Sequence, residues 1–127
     1  MPERSRLTTG SDMEVKFAYS RAVIAGDWCF VSGITGYNYA DMTMPEGPAD
    51  QARQCFKTLS SVLSDADFTL VDIVRVQYTV TDTAFIDDLA PVLQHYLGGV
   101  RPAATMVVAG LIRPEMKIEV EATAFRG

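Results

Sequence analysis

Two cysteines and a single histidine in 127 residues leave this chain short of the side chains from which metal centres and disulfide frameworks are built. One His and two well-separated Cys do not supply a usual ligand set, so no metal and no other cofactor is expected. Cys29 lies inside the apolar run Trp28 to Val31, and Cys55 on an apolar helical stripe. Both read as small buried hydrophobes of a reducing compartment. Basic clusters are lacking too: no run of Lys or Arg exceeds a pair, and 16 acidic residues outweigh 11 basic ones for a net charge of −5. Nucleic acid is therefore a poor partner, because phosphate binding needs a basic footprint. No apolar run approaches a membrane span. Residues 1–14 have no apolar segment of the kind a secretory leader needs. A cytoplasmic protein without a membrane partner is expected.

What the chain does have is two amphipathic helical stripes set among β-rich runs. With 48% hydrophobic and 21% charged residues it has the balance of a soluble globular protein. Residues 1–127 read as one domain, with 1–14 as a loosely held polar arm. Ala22 to Ala25 and Trp28 to Ser32, joined by Gly26-Asp27, read as a hairpin. Residues 33–48 carry Gly, Tyr, Asn, Asp and Pro without periodicity, and loops of that length are often functional. Pro48 suits a helix's first turn. Ala52, Cys55, Phe56, Leu59, Val62, Leu63 and Ala66 then give that helix one apolar stripe.

Val71 to Thr81 reads as a strand with Val74, Val76, Tyr78 and Val80 toward a core, and Ile73, Arg75, Gln77 and Thr79 away from it. Phe85, Leu89, Val92, Leu93, Tyr96 and Leu97 make a second helical stripe, ended by Gly98-Gly99. Pro91 is placed in that helix's first turn, where its missing N–H costs little. Two closing strands complete the order ββαβαββ. The fold class is α+β, a mixed β-sheet with two helices packed on one face.

The last strand is the most informative. Alternation sends Met116, Ile118, Val120 and Ala122 to one face, and Lys117, Glu119, Glu121 and Thr123 to the other. The charged face, shared with Arg75, Gln77 and Thr79, meets water, lines a site or meets another subunit. An oligomer is the expectation. His95 reads as a boundary residue without a nucleophile or carboxylate motif aimed at it. Met42, Met44 and Met106 read as space-filling side chains of an apolar pocket.

Several short motifs occur in order: Tyr19-Ser20-Arg21-Ala22-Val23, Gly26, Phe30-Val31-Ser32-Gly33, Gln51-Ala52-Arg53-Gln54, Val71-Asp72-Ile73-Val74, Thr81-Asp82, Arg101-Pro102-Ala103 and Ile118-Glu119-Val120-Glu121-Ala122. As an ordered set from Tyr19 to Phe125 they resemble the RidA/YjgF family, also called the perchloric-acid-soluble proteins. The resemblance implies a chorismate-mutase-like fold and a homotrimer with small-molecule sites in the clefts between subunits. It implies hydrolysis of reactive imines or enamines to a ketone and ammonia. Other members are described as ribonucleases or translation inhibitors, and some as binding proteins.

In the deaminating members a Pro-Ala-Arg motif supplies an arginine that clamps the carboxylate of a 2-imino acid. Here the triplet is Pro102-Ala103-Ala104, so the clamp position is alanine. A charge-assisted Arg–carboxylate pair is worth roughly 1.5–3 kcal/mol, which alanine cannot replace. The family's water-orienting glutamate matches Glu119, its cleft tyrosine Tyr19 and its serine Ser32. Its helix asparagine falls at Leu89, and its cysteine at Met106. Arg21, Arg75, Arg101 and Arg113 are the cations available to replace the clamp, Arg101 by reaching over the cleft mouth. For each, the alternative is a surface or ion-pair role.

Glu119 is thus expected as catalytic base, the alternative being a solvated strand carboxylate. Tyr19, Ser32, Ala104, Met106 and Arg101 are expected around the substrate. Tyr19 has the alternative of packing at a subunit seam, and Ser32 that of satisfying a turn. Glu121 reads as a surface or ion-pair residue. The expected activity is hydrolysis of imines or enamines other than simple 2-imino acids. The first alternative is a non-catalytic binding trimer, and the second, a ribonuclease or translation inhibitor, suits the acidic charge badly.

Overall fold

The apolar stripe that begins after Pro48 becomes the longest helix of a computed structural model that describes residues 4–127. This helix is α2 (Pro48–Asp65), following β1 (Arg4–Leu7), α1 (Asp12–Lys16), β2 (Ala22–Ala25) and β3 (Trp28–Thr35). After it come β4 (Ile73–Val80), α3 (Ile86–Leu97), β5 (Ala103–Val108) and β6 (Ile118–Phe125), with 3₁₀ turns at Leu70–Asp72 and Thr83–Phe85. Six strands form one mixed sheet in the order β1-β2-β3-β6-β4-β5, with only β4 and β5 parallel. The long helices cover one face, so the α+β architecture is as the alternation required.

All seven positions of the first stripe are buried, with Phe56, Leu59 and Leu63 fully so. They meet Leu89 and Val92 of α3, and Ile34, Val76, Ile118 and Val120 of the sheet. Each large apolar side chain buried here contributes about 1.5–3 kcal/mol. Stacked rings of Phe56 and Tyr96, 4.8 Å apart, join the two helices. Gly26 turns β2 into β3 at φ +59°, a left-handed conformation that strains any residue with a Cβ.

Four expectations need correction. The polar segment expected as a loose arm contains β1, paired antiparallel with β2, and α1, capped by the Ser11 hydroxyl. Residues 1–3 of that segment lie outside those described. Ile73, rather than Val74, faces the core. Ile73 pairs with Ala124 and Arg75 with Thr123, so Val74 bulges out of the ladder and is 42% exposed. Pro91 sits well inside α3. It lies on the exposed side, where water can satisfy the carbonyl that loses its N–H partner. The long loop also starts later, because β3 continues to Thr35 through a bulge.

That second bulge shapes the open face of the sheet. Val31 pairs with Ala122 and Ile34 with Val120, so Ser32 and Gly33 together oppose Glu121 alone. Beyond the bulge Thr35 pairs with Glu119, which pairs with Thr79 on its other side. At the opposite edge every residue of β5 is exposed.

Candidate functional site

The bulge in β3 is held from behind by a buried arginine. Arg21 is 1% exposed, and its Nη1 donates to the carbonyls of Gly33 at 2.7 Å and Ser32 at 3.2 Å. Its guanidinium lies 5.0 Å from the centre of the Tyr39 ring and 5.9 Å from that of Tyr19, within cation–π range of both. The Ser32 hydroxyl donates to the Ser20 carbonyl at 2.6 Å, tying the chain before β2 to the bulge. Tyr39 closes the loop over the site, its hydroxyl accepting from the Thr35 N–H at 3.2 Å.

The Glu119 carboxylate rests on the surface this creates. A Cβ on Gly33 would fall 2.5 Å from Glu119 Cδ and 2.8 Å from both carboxylate oxygens, so only glycine leaves room for it. Among the described residues no hydrogen-bond donor engages that carboxylate. Burial pushes its pKa up, the neighbouring Glu121 adds to the rise, and Arg21 opposes both. Burial also raises the Tyr19 phenol, again against Arg21.

Above Glu119 opens a cavity of about 780 Å³ with aromatic and thioether walls. Tyr37 and Tyr39 come from the long loop, and Met13 and Phe17 from in and just beyond α1. Glu119, Tyr19 and Ser32 all line this cavity, which is the geometric relation expected of them. Glu121 and Arg113 line it as well. Tyr37 donates to Glu115 at 2.7 Å, and burial with that bond raises its pKa.

Arg101, Ala104 and Met106 are not brought to it by this chain. Ala104 pairs with Val76 and Met106 with Tyr78, whose side chains face the helices, whereas Glu119 faces the other way. The whole of β4 also separates β5 from β6. Met42 lines the cavity and Met44 an adjoining hollow. His95 is exposed, edge-on to Tyr96. Both cysteines are free and buried, and among the described residues no cluster suited to a metal ion occurs. No helix among them is long and apolar enough to cross a membrane.

Sequence reasoning missed Gly33 as a seat for the carboxylate and Arg21 as the strut beneath it. Gly33 directly follows the expected strand end at Ser32, and a glycine in a β run is the usual sign of a bulge or a close approach.

A profile of the family described as endoribonuclease L-PSP, the YjgF/RidA family, matches residues 9–126. The chain belongs to this family. Among its relatives is rat 2-iminobutanoate/2-iminopropanoate deaminase, 27% identical over 87% of this chain and 81% of that protein. A Streptomyces coelicolor family relative without an assigned activity is 30% identical over 96% of this chain and 92% of its own length. Among solved structures, Rv2704 of Mycobacterium tuberculosis, a YjgF/YER057c/UK114 family member, superposes with a TM-score of 0.90 at 32% identity, covering 98% of this chain and all of that one.

Proposed function

We propose that this protein hydrolyses reactive imines or enamines to a carbonyl compound and ammonia, working as a homotrimer. The observation that carries the reading is the Glu119 carboxylate, seated over Gly33 with no hydrogen-bond donor among the described residues, at the floor of an open cleft with aromatic walls. The name borne by the rat relative supports the same chemistry.

A protonated imine is already electrophilic, so the site has only to hold it beside a water and manage one proton. The water oxygen bonds to the imine carbon, the C=N π pair moves to nitrogen, and a water proton passes to Glu119. Glu119 then returns that proton to the amine nitrogen of the carbinolamine. The C–N bond breaks, ammonia leaves with the electron pair, and the remaining hydroxyl proton is lost to it. Iminium plus water thus becomes ketone plus ammonium. A carboxylate of raised pKa suits both directions of that transfer. Glu119 and Glu121 together also favour the iminium charge.

The trimer reading rests on surfaces that one chain leaves bare. β5 is exposed throughout, and Trp28 and Phe30 on the open sheet face are 41% and 47% exposed. In an assembly, β5 of a neighbouring copy would bring Ala104 and Met106 to the cleft. Light scattering that returned a monomer at micromolar concentration would remove this part of the proposal. The hydrolysis itself is tested by generating imines in situ with an amino-acid oxidase and following ammonia release. Glu119→Gln is expected to slow turnover about 10²–10⁴-fold with little change in melting temperature. Unchanged turnover would dismiss Glu119 from the chemistry.

A further inference from the structure

We propose that Arg113 anchors the substrate's carboxylate in place of the residue lost at Ala104, and that the site selects imines with an aromatic or similarly bulky apolar body. This rests on the hydrolytic reading of the Glu119 site but is tested apart from it.

Of the arginines available, geometry leaves one. Arg21 is buried behind the bulge, with Nη1 engaged by two carbonyls. Arg75 opens onto a separate hollow beside Phe30 and donates to Thr105. Arg101 does not line the cavity. Arg113 does, and is its single basic lining residue among those described. No carboxylate among the described residues lies within ion-pair distance of it. Its bond from Nη2 to Met13 Sδ is weak at 3.7 Å, and the Tyr37 hydroxyl is a second polar neighbour; neither is a carboxylate, so the guanidinium charge is left for an anion.

The backbone that carries Arg113 is held firmly. Met116 N–H donates to the Arg113 carbonyl at 3.1 Å, closing a turn with Pro114 inside it. The fully buried Gln51 of α2 then fastens that turn, donating to the Glu115 carbonyl and accepting from the Lys117 N–H, both at 2.9 Å. Glu115, the acid closest in sequence, accepts from the Tyr37 hydroxyl and feels the Arg113 charge only from beyond ion-pair distance.

The cavity is therefore bipolar. Asp12, Glu119 and Glu121 attract the iminium, Arg113 is the one lining group among those described that attracts the anion, and Phe17, Tyr39 and Met42 offer apolar area that a methyl-sized substituent cannot use. A cavity of about 780 Å³ is far larger than a three-carbon imino acid requires.

Binding of stable product analogues separates this from catalysis. By titration calorimetry, phenylpyruvate is expected to bind the wild-type protein at least about tenfold more tightly than pyruvate or the neutral phenylpyruvamide. Arg113→Ala should lose about 10- to 100-fold of phenylpyruvate affinity, Arg113→Lys less, and amide binding should hardly change. Arg113 is exposed, so both variants should fold. Equal binding of phenylpyruvate by wild type and Arg113→Ala overturns the anchor, and phenylpyruvate binding no tighter than pyruvate overturns the aromatic selectivity. Arg113-dependent binding without turnover of any imine would retain the anchor and overturn the hydrolase. Turnover without Arg113 dependence would do the reverse.

Discussion

Replacing Gly33 with alanine asks whether the position of one carboxylate governs activity. The added Cβ would lie 2.5 Å from Glu119 Cδ and 2.8 Å from each oxygen, where ordinary contact begins near 3.4 Å. The carboxylate therefore has to withdraw by about 1 Å, and a misplacement of that size at a reacting centre costs on the order of 10²-fold in rate. The backbone offers no comparable objection. Gly33 does not adopt a left-handed conformation, so alanine fits its φ, and the end of Glu119 is free to swing. Loss of unfolded-state freedom even contributes about 0.4–1 kcal/mol in the variant's favour. The expected result is thus a folded protein of near-normal urea midpoint whose imine turnover has dropped about a hundredfold. Wild-type turnover would show that the carboxylate need not sit where the bulge puts it. A midpoint corresponding to more than about 2 kcal/mol of destabilisation would show that the site is too rigid to yield, contrary to the argument.

The acid limb of the pH–rate profile should lie above the ordinary carboxylate range, because burial and Glu121 raise the Glu119 pKa. Glu121→Gln removes the like charge and should move that limb to lower pH; a stationary limb would assign it elsewhere. Glu119 also binds its proton more tightly folded than unfolded. Its contribution to stability is therefore largest below its unfolded pKa, near 4.5, and is lost as pH rises through the folded value, which urea titrations against Glu119→Gln can isolate. Gln51→Leu should destabilise by about 2–4 kcal/mol in urea, since it orphans the carbonyls of Pro45 and Glu115 and the N–H of Lys117. Small aliphatic 2-imino acids should be slow substrates beside bulky ones in the oxidase-coupled assay, given Ala104.

The long elements were legible because each has enough turns or alternations to reveal its period. The stripe from Ala52 to Ala66 and the alternation from Met116 to Ala122 carried directly into α2 and β6. What escaped were short or polar pieces. β1 is four residues with one half-buried side chain, Leu7, and the only buried residue of α1 is Glu14, invisible to a search for apolar periodicity. Glu14 is held instead by the Thr9 hydroxyl and N–H. Val74 reads as a core residue because strict alternation has no means of announcing an extra residue. At the site, Glu119, Tyr19 and Ser32 came from family resemblance. The choice of Arg113 among four arginines needed the fold, because it rests on which wall a turn between β5 and β6 faces.

The order of strands also bears on how the protein is made. β6 is synthesised after the other five described strands, yet it lies between β3 and β4, pairing Phe30 with Thr123 and Thr79 with Glu119. Until it emerges, the β1-β2-β3 ribbon and the β4-β5 pair share no strand, and each shows an unpaired edge to other nascent chains. The strand that joins the two halves also carries Glu119. A ribosome-bound fragment stopped before Ile118 has neither a continuous sheet nor the proposed catalytic carboxylate, so the joined sheet and the carboxylate arrive with the same segment of chain.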